Sequence, residues 1–116
     1  MRDHQQLSIE EVRGITVIRF RQRRLSGILE MERLERELQQ LVEAENRVRL
    51  LFDLASVEFL SSQVFGMLVS LGEKVKARGG AVKLCRLQPH VLEVLLTCKL
   101  DRIFDIQPDL AEAVRA

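Results

Sequence analysis

One segment restricts the fold more than any other. Residues 47–54, RVRLLFDL, form a dense apolar run that is short enough for a strand and nearly apolar on both faces. Such a strand usually lies inside a sheet covered by helices, because an open face would leave half of its side chains in water. The run therefore predicts an interior strand. The rest of the chain has to supply its neighbours and its covers.

Residues 7–13 and 15–21 are two β-prone runs around Gly14, and a turn there makes them a hairpin. Alternation puts Ile18 and Phe20 toward the core, with Arg19, Arg21 and Arg23 on the other side. Residues 81–86 (AVKLCR) predict another strand, and Ile103 to Ile106 a last, brief one. Between them the period changes to helical. Residues 29–44 carry Met31, Leu34, Leu38 and Leu41 in one stripe, and Ser61 to about Ala77 repeats it with Val64, Leu68, Leu71 and Val75. Gly79-Gly80 stops that helix. Pro89 opens a short helix with Val91, Leu92, Leu95 and Leu96, and Pro108 a closing one with Leu110 and Val114. The order is β-β-α-β-α-β-α-(β)-α, the alternation of an α/β fold. It predicts a mixed, mainly parallel sheet of about four or five strands with about four helices and an opening hairpin. No linker or repeat divides the chain. A single domain over residues 1–116 is expected, with residues 1–6 and 114–116 frayed.

Several function classes fall away on composition. Lys and Arg number 18 against 17 Asp and Glu, a net charge of +1 that gives no pull toward nucleic acid or an anionic membrane. Trp and Tyr are absent, which leaves little surface for stacking bases. The start, MRDHQQLSIE, lacks the apolar core of a signal peptide, and the most apolar stretch, Val64 to Leu71, is too short to cross a bilayer. A cytoplasmic location without membrane insertion is the expectation. Cys85 and Cys98 match no zinc spacing and are expected to be reduced, partly buried core thiols. The only histidines are His4 and His90, and no glycine-rich phosphate loop occurs. Asp53 ends a strand, where a carboxylate ordinarily bonds neighbouring backbone donors. No enzyme, metal or cofactor is expected.

The most informative stretch is Leu51 to Leu68, LFDLASVEFLSSQVFGML, in which the buried strand runs through a loop to Ser61-Ser62 at a helix start. A hydroxyl there caps the helix by accepting from an unpaired backbone N–H. The same place suits a phosphoryl group, since a helix N-terminus carries about +0.5 charge and free donors. Capping and phosphorylation are compatible.

This run resembles the STAS domain of bacterial anti-sigma factor antagonists, which reads apolar strand, Asp-Leu, then Phe-(Ile/Met)-Asp-Ser-Ser-Gly-Leu-Gly. Asp53-Leu54, Phe59-Leu60 and Gly66 match, and Ser62 falls on the phosphorylatable serine. Ser61 stands where the family has Asp, Gln63 replaces the second serine, Val64 the first glycine and Phe65 the leucine. Lys76-Ala77-Arg78-Gly79-Gly80 resembles the family's Arg-x-Arg-Gly-Gly, and Leu100-Asp101-Arg102-Ile103-Phe104 its Leu-Asp-Arg-Leu-Phe. A further acidic position, Leu-Asp after the second strand, is Leu25-Ser26 here.

The resemblance implies a STAS-like fold and a non-catalytic partner-switching regulator. Its partner would be an anti-sigma factor of the serine-kinase type, and phosphorylation at Ser62, with Ser61 as second choice, would end binding. The implied contact surface comprises Ser26, Ser56, Val57, Glu58, Ser61, Ser62, Gln63 and Phe65. The alternative is a constitutive interaction module of a stressosome-like or transport-associated complex, without a phosphorylation switch. The two missing acids point toward that alternative.

Overall fold

The hairpin turn shows how local chemistry sets the architecture. Arg13 and Gly14 both take positive φ, 52° and 80°, as the two central residues of a tight turn whose twist matches that of the strands. They join β2 (Leu7–Val12) to β3 (Ile15–Phe20), antiparallel with Leu7 opposite Phe20. The computed structural model describes residues 2–3 and 7–115. Of the fraying expected at both ends, residues 1, 4–6 and 116 lie outside the described residues. Arg2–Asp3 is a short strand, β1, that lengthens the antiparallel edge.

After β3 the connections are crossovers and the pairings parallel. β5 (Arg49–Asp53) lies between β3 and β7 (Ala81–Cys85), and β8 (Asp105–Gln107) closes the far edge in the order β1-β2-β3-β5-β7-β8. The run 47–54 is thus an interior strand, as its composition requires. The crossover helices are α1 (Ile28–Gln39), α2 (Ser62–Ala77) and α3 (Pro89–Thr97), and α4 (Leu110–Arg115) ends the chain. The expected helix over 29–44 ends in a wider turn at Gln40–Ala44, where Glu45 N donates to Gln40 O.

One face of the sheet is dry along its length, and the other is dry only at its centre. On the first, Ile18, Phe20, Leu50, Phe52, Val82 and Leu84 pack against the stripes of α1, α2 and α3, and the Phe20 and Phe52 rings stack at 5.8 Å. On the other, Ile15, Val17, Leu51 and Cys85 are covered by Ala113 of α4. Cys98 is exposed, unlike the core thiol expected, because it stands at the C-cap of α3. Pro108 precedes the last helix rather than opening it: Asp109 is the cap, its carboxylate accepting from Glu112 N at 2.8 Å. The final strand starts two residues later than the apolar run at 103–106. Lys99 turns left-handed, a single 3₁₀ turn spans Leu100–Arg102, and Phe104 is drawn inward against Gly72.

Gly79 and Gly80 act differently. Gly79 has φ +84°, the left-handed conformation that ends α2. At Gly80 a Cβ would stand 1.9 Å from the carbonyl oxygen of Val48, so the turn can approach β5 only with glycine.

Candidate functional site

The site is built where the chain leaves β5. A second, two-stranded parallel sheet forms there from β4 (Arg24–Leu25) and β6 (Phe59–Leu60), a pairing that periodicity does not reveal. Leu25 stands opposite Leu60, and Ser61 N donates to Leu25 O at 3.1 Å. Two segments far apart in sequence, leaving through Ser26 and Ser61, therefore start side by side.

Ser61 then serves as the N-cap. Its backbone is extended (φ −71°, ψ 162°), and its Oγ accepts from Val64 N at 3.4 Å. Ser62 is the first helical residue and is exposed. The two serines thus divide the roles that the sequence leaves open between them: Ser61 caps, and the Ser62 hydroxyl is free of that duty. The N–H groups of Ser62 and Gln63 have no acceptor among the described residues. Val64 is fully buried, which explains a bulky apolar residue where the related motif has glycine. Phe65 is half-buried and packs on the core.

The loop before the serines is held from several sides. Ser56 Oγ donates to Phe20 O at 3.1 Å, and Glu58 N and Phe59 N both donate to Arg23 O. Gln88 Nε2 reaches Ala55 O at 2.9 Å, and the Arg24 guanidinium lies 4.5 Å over the Phe59 ring. Of the surface expected from the sequence, Ser26, Ser56, Glu58, Ser61, Ser62, Gln63 and Phe65 all reach the surface at least partly. Val57 does not. It is 0% exposed, with its N–H turned back to Leu54 O, and belongs to the core. Two residues outside that expectation, Ile28 and Leu29, are exposed by 70% and 69% just beyond Ser26. Their signal in the sequence was an apolar pair preceding the first stripe residue, Met31.

Asp53, at the end of β5, is buried and fully engaged. It accepts from Ala55 N, as a strand-end carboxylate ordinarily does, but also from Arg19 Nε at 3.0 Å and from two nitrogens of Arg86. Burial alone would raise its pKa. The Arg86 hydrogen bonds, Ala55 N–H and Arg19 outweigh burial and hold the carboxyl below its ordinary range. It is a structural anion with no free lone pair aimed at solvent. Beside it, burial and then the Asp53 charge push the Cys85 thiol up to about 11, far from a reactive thiolate. His90 is exposed on α3 and His4 lies outside the described residues. Among the described residues no three His, Cys, Asp or Glu are grouped to hold a metal ion, and no helix is long and apolar enough to cross a membrane.

A family model described as the STAS domain matches residues 6–113. Among solved structures, an anti-sigma-factor antagonist (STAS) domain protein from Planctomyces limnophilus is 27% identical with a TM-score of 0.80, over 92% of this chain and 92% of that one. An anti-sigma factor antagonist from Mycobacterium paratuberculosis is 24% identical with a TM-score of 0.81, over 94% and 90%. The Bacillus cell fate determinant SpoIIAA in its phosphorylated form is 16% identical with a TM-score of 0.72, over 94% and 96%. The search of curated proteins found no match.

Proposed function

The chain belongs to the STAS domain family, and from that premise we propose that it is a non-catalytic partner-switching regulator of the anti-sigma factor antagonist kind. Its unphosphorylated form binds an anti-sigma factor with serine-kinase activity in the cytoplasm, and phosphorylation of Ser62 ends that binding. The observation that carries this reading is the division between the serines: Ser61 supplies the cap, so Ser62 presents an exposed, uncommitted hydroxyl at a helix start.

The chemistry around Ser62 suits a phosphoryl group. The group would meet the helix dipole and the unpaired N–H groups of the first turn. Positions 26 and 61 carry hydroxyls rather than carboxylates, so neither repels it. Within the protein the modification is neutral or stabilising by roughly 0.3–1 kcal/mol. Loss of binding then arises at the partner, through charge repulsion and desolvation of the phosphate. The surface involved comprises Ser26, Ser56, Glu58, Ser61, Ser62, Gln63 and Phe65.

The test is incubation with serine kinases of the anti-sigma type and ATP, read by intact mass. The wild type should gain one phosphoryl mass, Ser61→Ala should keep that gain and Ser62→Ala should lose it. Ser62→Asp should stay folded, with clearly weaker binding to the same kinase. Modification confined to Ser61, or full-strength binding by folded Ser62→Asp, would falsify the assignment.

A further inference from the structure

We propose that the groove between α1 and α2 is a docking site for an amphipathic helix of another protein, one with an apolar edge flanked by Lys or Arg. This goes beyond the switch at Ser62 and does not require a modified serine.

The groove holds about 390 Å³. Its floor is apolar, made by Met31 and Leu38 of α1 and Met67 and Leu71 of α2, and Ile28 stands 70% exposed at its mouth. The charge on its walls is one-sided. Glu32 and Glu35 line the α1 wall and form no ion pair among the described residues, whereas Lys74 on the α2 wall is paired with Glu43 at 3.7 Å. The wall charge left uncompensated is negative, and it calls for a cationic occupant. A second copy packed groove on groove would bring the same two carboxylates against themselves, which disfavours a symmetric dimer here. An apolar channel between two helices, edged by one sign of charge, is the shape that receives a third, amphipathic helix.

Gly66 supplies an independent observation. It sits inside α2, faces the groove and is exposed, and a Cβ built on it would meet nothing within 4 Å. Its backbone is not left-handed, so nothing within the fold requires glycine there. Glycine in a helix interior is less favourable than alanine. A bare backbone at that point lets an outside body approach closely. Gln63 lines the same groove one residue after Ser62, so the channel opens directly onto the helix start.

The probe is a synthetic peptide of about 18 residues of Leu and Lys, with Leu at helical i, i+3, i+4, i+7 spacing. A peptide with Glu for Lys is the control. Titrated into the isotope-labelled full chain, the Leu/Lys peptide should shift the amide resonances of Met31, Gly66, Met67 and Ser70. The Leu/Glu peptide should leave them in place. Gly66→Leu, whose side chain enters open space, should keep the fold and weaken binding about tenfold or more. Gly66→Gln serves if the leucine variant aggregates. Glu32→Gln with Glu35→Gln should weaken binding several-fold and flatten its salt dependence. Ser62→Ala should bind as the wild type does, which separates this site from the switch. Equal response to both peptides, shifts confined to another face, or no shifts at all would overturn the proposal. So would a dimer of the peptide-free protein that Gly66→Leu abolishes, since the occupant would then be a second copy.

Discussion

Ser61 and Ser62 are chemically identical neighbours, and one dihedral pair separates their roles. Ser61 lies on extended backbone and points its hydroxyl back at Val64 N, while Ser62 is already helical. Ser61→Ala should therefore cost about 1 kcal/mol of stability and Ser62→Ala less than about 0.5, by urea unfolding. Equal costs would mean that the cap is shared. Asp53 offers a second test. Its carboxyl is held below the ordinary value of 3.8, so the stability it contributes is fully present above that pH and is lost as pH falls through the lower folded value. The wild-type unfolding free energy should decline below about pH 4, and Asp53→Asn should flatten that decline. At pH 7 Asp53→Asn should cost about 1.5–3 kcal/mol, toward the lower end because Arg86 remains half exposed to water. That Asp53 would bond a nearby N–H was legible from its place at a strand end. That Arg19 and Arg86 would close around it was not, since they lie 34 and 33 residues away and only the sheet brings them together.

At the scale of elements, α2 and the turn after it show two glycines with opposite meanings. Gly66 faces open space within the helix and Gly80 meets the backbone of Val48 just after it. Gly66→Ala should stabilise the protein by about 0.5–1 kcal/mol, and Gly80→Ala should destabilise it by about 3 kcal/mol, both read from thermal or denaturant midpoints. If Gly80→Ala were tolerated, the close approach of the α2–β7 turn to Val48, just before β5, would be wrong. The helices themselves were readable because each carries a stripe of period 3.6 and a marked end. Pro89 occupies the first turn of α3, as its fixed φ favours. Pro108 does not, because Asp109 after it supplies the capping carboxylate. The β4–β6 pair escaped notice because two residues per strand are too few for a period. Its consequence reaches the site. It fixes where the extended backbone stops, and so which serine is the cap.

The whole molecule buries its sheet on two sides with unequal means. Three helices cover one face, and α4 alone covers the other. Deleting residues 109–116 should expose Ile15, Val17, Leu51 and Cys85 and lower the unfolding midpoint. In the intact protein a thiol reagent at pH 8 should label Cys98 quickly, since it is exposed. Cys85, buried and with its pKa near 11, should label only on unfolding. In the deletion variant Cys85 should become reactive under native conditions. Continued protection there would mean that α4 is not its cover.

The sequence by itself determined the class of fold, the order of its helices and longer strands, the interior strand within 47–54 and the hydroxyl-bearing helix start. Each of these rests on local quantities: a hydrophobic period, a turn residue, a proline or a glycine. Only the tertiary structure decided which serine caps and which stands free, that Val57 is core, that Asp53 is closed in by two arginines, and that α1 and α2 leave a groove edged by carboxylates. Those outcomes depend on groups 25 or more residues apart, brought together when β3, β5 and β7 align and β4 meets β6. Burial is a property of the assembled layers rather than of any window of residues. A valine in a polar loop and a valine in a helix stripe carry the same local signal until packing assigns one of them a neighbour.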